Sequence, residues 1–193
     1  MYELILLDAV GAVVFLLAWD SSHSISYHLI YDAWFAFLLS AIVLVHMVHI
    51  AGWCGGDYLY EGGAIVGAVG WLVLVAFNDQ SYVSAHYLGV AVFGLGVMIL
   101  CGRVLASPAD TWSCHGACAF ALLALVTFLA SAAFAVLLWM DQRGPAAWTI
   151  ERVAFLGVVL LLAVVSAVAT GGSGWEDDDN GSCVGQVGIP VAR

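Results

Sequence analysis

Six histidines are the side chains best equipped for chemistry in this 193-residue chain, and they are unevenly spaced. His46 and His49 stand three apart in "LVHMVHIAG". His115 lies between Cys114 and Cys118 in "CHGAC". His86 follows a polar island, Asn78-Asp79-Gln80, and His23 and His28 belong to "DSSHSISYH". Imidazoles at such positions can ligate haem iron, bind a divalent metal or carry a proton. The spacings exclude several familiar chemistries. The H-x-x-H of His46 and His49 lacks the glutamate and the i, i+4 register of a zinc hydrolase. "CHGAC" is neither the C-x-x-C of a redox pair nor the C-x-x-C-H of covalent haem attachment. Asp20, Ser22 and His23 are too local to build a nucleophile triad. The chain has no lysine, so a Schiff-base chromophore is excluded.

What must position these side chains is set by composition. Hydrophobic residues make up 64% of the chain and charged residues only 9%, against about a quarter charged in ordinary soluble domains. So few charges cannot clothe a water-exposed surface. The apolar residues fall in blocks at 3–19, 30–51, 62–78, 83–104, 116–139 and 149–170, each long enough for a bilayer crossing of roughly 17–25 residues. The expected fold is therefore all-α, a polytopic membrane bundle of about six helices. Short polar connections such as "NDQS" and "DQRGP" make consecutive helices antiparallel neighbours. Residues 1–170 form the expected transmembrane domain, with both termini on one side. Residues 171–193, Gly-rich and acidic, read as a flexible solvated tail. The N-terminus carries acids and no basic n-region, so its first block reads as a retained helix and not a cleaved signal.

A net charge of −10, from 14 acids and four arginines, argues against nucleic acid or a basic lipid-binding patch. Acidic, lysine-free loops suit a protein exposed to high salt, and an arginine-favouring GC-rich genome explains the missing lysine equally well. Both readings stay open, as does the choice between plasma membrane and endomembrane. Arginines near the helix ends lean by a single residue towards termini outside.

Ionisable residues at membrane depth are costly and point to function. His46, His49 and His115 fall near the terminus-side face, with Asp57, Glu61 and three cysteines. His86 opens the fourth long block on the opposite face, with Asp20, Asp32, Asp79 and Glu151 at similar depth. One group on each face is the pattern of a two-haem b-type cytochrome, with His46, His49 and His115 as candidate ligands for haem b or a metal. Against that reading, a histidine at a helix end is cheaply satisfied by hydrogen bonds. His23 and His28 are expected in a watered loop that needs no explanation.

The stretch "AFNDQSYVSAHYLGVAVFGLG" resembles the central segment of the Frag1/DRAM/Sfk1 family of six-span membrane proteins. The matching positions are Asn78, Gln80, His86, Gly89 and Phe93. "CHGACAF", around His115 and Gly116, is similar to the start of that family's fifth helix. "WTIERVAFLG" places Glu151 where the family carries an acid at the start of the sixth. Asp79 departs from the usual aromatic, and the first loop "WDSSHSISYHLIYD" has no proline. The resemblance spans about residues 75–160. It implies a multi-pass protein acting through membrane lipids or other membrane subunits, in lipid organisation, glycolipid-anchor maturation or trafficking, more naturally without catalysis. It also gives the polar island a role. Asn78 and Asp79 would turn the hairpin and cap the next helix, while Asn78, Asp79, Gln80, His86 and Glu151 would enclose a polar pocket for a headgroup or water. The small residues of "GGAIVGAVG" and "GVAVFGLG" predict close crossing of the third and fourth helices.

Overall fold

The computed structural model describes residues 11, 23–53, 57–77, 82–107 and 114–171. Its elements are all helical: α1 (Ile25–Tyr31), α2 (Ala33–Trp53), α3 (Tyr58–Ala76), α4 (Val83–Leu105), α5 (Cys114–Trp139) and α6 (Pro145–Gly171). The five helices α2 to α6 are each long and apolar enough to cross a membrane. The expected membrane bundle is therefore present. The first apolar block, the Asn78-Asp79-Gln80 turn and residues 172–193 lie outside the described residues.

Two long helices begin four residues before their apolar runs, for local reasons. Asp57 caps α3, its Oδ1 accepting the Leu59 and Tyr60 amides at 3.1 and 3.4 Å. Those amides have no partner inside the helix, and a carboxylate there also meets the positive end of the helix dipole. Pro145 opens α6 at a position where its missing N–H costs nothing. The α5–α6 connection is a helix-ending motif: the Gln142 amide bonds Leu137 O at 2.9 Å and the Asp141 amide bonds Leu138 O at 3.1 Å. This turn requires a left-handed residue, and Asp141 supplies it with φ of 55°.

Helices α3 and α4 form the tightest pair, as the small residues predict. A Cβ at Gly70 would collide with the Phe93 backbone, one at Gly89 with that of Leu74, and one at Gly96 with that of Gly67. Only glycine permits this approach, and in a membrane such close backbone packing replaces the hydrophobic drive that lipid cannot supply. Trp71, fully buried, is the centre of the core. Its indole N–H donates to Ser40 Oγ of α2 at 3.1 Å, and its ring lies against Phe93 of α4 and Phe155 of α6.

Helix α5 is peripheral. Only 11% of its most apolar stretch is buried, against 39% in each of the other four long helices. Its main neighbour is α6, where Gly157 receives the Thr127 side chain. Leu122, Leu125, Leu129, Val136 and Trp139 point outward. Exposed Tyr31, Trp34, Phe77, Tyr82 and Trp139 all stand at helix ends on the α1 side of the bundle. Aromatic rings collect at the membrane–water boundary, so they mark that boundary on the α1 side.

Candidate functional site

The polar residues separate onto the two faces, and on each they bind particular backbone or side-chain groups. On the α1 face, His86 is buried on α4. Its Nδ1–H donates to two carbonyls at the end of α3, Leu74 O at 3.2 Å and Phe77 O at 3.0 Å. Both acceptors being carbonyls, Nδ1 must carry the proton. The last carbonyls of a helix have no intrahelical donor, so His86 caps α3 from the following helix. This is the histidine that the sequence placed just below the interhelical hairpin.

Glu151 and Arg152 of α6 turn towards the segment that starts α1. Glu151 Oε2 accepts the Ile25 amide at 2.8 Å, and Arg152 Nη2 donates to His23 O at 2.6 Å. One acid and one base, adjacent in sequence, hold an amide and a carbonyl two residues apart. Arg152 is 2% exposed, so its charge is held almost wholly inside the protein. Ser24 completes the cap of α1, accepting the Tyr27 amide at 3.0 Å. Glu151 lies in the second turn of α6, at the same end of the bundle as α1. Asn78, Asp79 and Gln80, the proposed roof over His86 and Glu151, lie outside the described residues.

The segment expected as a watered loop is instead ordered. It forms α1, with His23 stacked on Tyr27 at a ring separation of 4.0 Å and Tyr27 tilted over Tyr31 at 4.5 Å. His28 Nδ1 lies 2.6 Å from Asp32 Oδ2. The i, i+4 spacing of His28 and Asp32, and of His23 and Tyr27, was the available signal. It is missed because seven residues are too few for a recognisable helical period.

On the other face, His46 is fully buried on α2, its Nδ1 2.8 Å from Ser166 Oγ of α6. His49 sits half-buried on the rim of an outer groove of about 520 Å³ lined by Ala41, Leu44, Val45, Val48 and Gly52. Three residues on a helix differ by about 60° around its axis, enough to give these two histidines different surroundings. His115 opens α5, and its side chain lies outside the described residues. Asp57 reaches beyond its cap, its Oδ2 accepting Arg103 Nε of α4 at 2.6 Å, and Arg103 lies over the Tyr60 ring at 5.4 Å. Among the described residues no three His, Cys, Asp or Glu side chains gather as a metal site.

Fold and side-chain placement together define a multi-pass helical membrane protein. Comparison with protein-family models, curated proteins and solved structures finds no match to the chain.

Proposed function

We propose that this protein works through lipid or protein contacts within the bilayer, as the resemblance to Frag1/DRAM/Sfk1 proteins implies, and not through a catalytic centre. One observation supports this above others: how the buried polar side chains are used. His86 caps α3, Glu151 and Arg152 hold the start of α1, and His46 joins α2 to α6. Each ties one helix to another. The outward surface, by contrast, is large and apolar, above all along α5. Contact with a lipid headgroup belongs on the α1 face, where Asn78, Asp79, Gln80, His86 and Glu151 stand by sequence and where the aromatic boundary runs.

The test is purification in native-lipid nanodiscs, followed by lipid analysis and an absorption spectrum. The expected result is colourless protein carrying a lipid class enriched several-fold over the surrounding membrane, with that enrichment reduced in Tyr82→Ala at the α1 face. Lipid in bulk proportions would remove the lipid reading. A Soret band with a reducible α-band would replace the whole proposal with the cytochrome reading, in which His46, His49 and His115 hold haem b.

A further inference from the structure

His28 carries a feature that the contact function does not use. Its Nδ1 is 2.6 Å from a carboxylate oxygen of Asp32, and a carboxylate can only accept, so Nδ1 is the protonated nitrogen. In the neutral imidazole the lone pair then stands on Nε2. That atom is buried and has no hydrogen-bond partner among the described residues. Burying such an acceptor unsatisfied is costly, and a Lewis acid would satisfy it. A carboxylate behind one imidazole nitrogen is also the arrangement that fixes the tautomer of metal-bound histidine and raises its basicity.

A second imidazole lies beside it. The rings of His23 and His28 are 6.2 Å apart, edge to face at 80°. Two imidazoles sharing one ion, each with a metal–nitrogen bond of about 2.0–2.1 Å, place their ring centres roughly 5–6.5 Å apart depending on the angle at the metal. The observed separation falls inside that range. His23 is partly exposed, so water can reach the outer side of an ion held between the two rings. The neighbouring charges nearly balance: Asp32 and Glu151 are acids, and Arg152 is the base that holds His23 O. The Tyr27 and Phe35 rings each lie 5.7 Å from His28, and Phe35, which is buried, closes the inner side.

We propose that His28, oriented by Asp32, binds a borderline divalent transition-metal ion together with His23, with water filling the remaining positions. Imidazole nitrogen suits zinc, copper and nickel, and no thiolate is required. This inference is independent of the lipid reading, because it concerns an ion at the membrane edge and not a bilayer contact.

The experiment is a Cu²⁺ titration of the full-length protein in detergent micelles, read by electron paramagnetic resonance and repeated with Zn²⁺ by calorimetry. Other histidines and the acidic tail will also take up metal, so the reading is the difference between wild type and variants. Relative to the variants, wild type should show one additional saturable site with nitrogen couplings from two imidazoles. His23→Ala should reduce these to one, and His28→Ala should abolish the site. Asp32→Asn should weaken binding about 10–100-fold, the usual effect of losing a carboxylate behind a ligand. His28→Asn, which keeps an N–H for Asp32 but has no ring lone pair, guards against misfolding: it should retain the helical spectrum and still lose the site. Identical titrations of wild type and His28→Asn would overturn the proposal. So would a site that survives His23→Ala with two nitrogen couplings intact.

Discussion

Arg152 shows how a single residue settles a local structure in this protein. A guanidinium inside a membrane bundle is tolerable only when its charge is answered, and here it donates to His23 O while Glu151 beside it accepts the Ile25 amide. Replacing it with a methionine of similar bulk leaves the packing but removes a charge-assisted bond, and a carbonyl loses its donor. Arg152→Met should therefore cost about 2 kcal/mol, read as a lower midpoint in SDS unfolding followed by circular dichroism. Glu151→Gln keeps an acceptor for the Ile25 amide and should cost about 1 kcal/mol or less. A larger loss from the glutamine variant than from the methionine variant would reverse this account. Asp141 makes the opposite prediction. It holds φ of 55° in the α5–α6 turn, and its ion pair with Arg143 is long, at 3.4 Å, and exposed. Glycine adopts that backbone without steric cost, so Asp141→Gly should stabilise by about 1 kcal/mol or leave stability unchanged.

At the scale of elements, the α3–α4 pair separates two kinds of glycine that look alike in sequence. Gly70, Gly89 and Gly96 face the backbone of the partner helix, whereas nothing lies within 4 Å of a Cβ at Gly94 or Gly102. Alanine at any of the first three must push two helices apart, which should cost about 1–3 kcal/mol. Alanine at Gly94 or Gly102 meets open space and improves helix propensity, for a gain of up to about 1 kcal/mol. The same unfolding assay checks both directions, and equal effects at Gly94 and Gly96 would show that the interface is not where the structure places it. Helix α1 illustrates the converse dependence. Seven residues cannot sustain a helix in isolation, and α1 persists because Ser24, Glu151 and Arg152 satisfy its first backbone groups or hold the chain just before them.

For the whole molecule, the antiparallel order of α2 to α6 fixes which connections share a face. Tyr58 begins α3 on one side, while Asp141 follows α5 on the other, and both are exposed. Single cysteines introduced as Tyr58→Cys and Asp141→Cys, in a cysteine-free background, should react with an impermeant maleimide from opposite sides of sealed vesicles. Labelling of both from one side would remove this topology. The outward apolar surface of α5 is compatible with a bilayer around it, and the exposed aromatic residues stand at the same helix ends as the polar groups of the α1 face, as side chains at a membrane–water boundary do.

The sequence by itself determined the membrane class and five helices to within four residues at each end, because lipid demands long uncharged runs and little else mimics them. It also showed which helices would approach closely, since glycine and alanine spaced three and four apart have few other uses there. The early starts of α3 and α6 were harder to read: Asp57 and Pro145 begin those helices in polar sequence, ahead of the apolar signal. The tertiary structure alone decided the partners of the polar residues. His86 with Leu74 O, Glu151 with the Ile25 amide, His46 with Ser166 and Asp57 with Arg103 join positions between 12 and 126 residues apart. Depth in the membrane follows from counting along a helix, but a partner depends on how each helix is rotated about its axis. That rotation is set by packing against neighbours, as the different surroundings of His46 and His49 show.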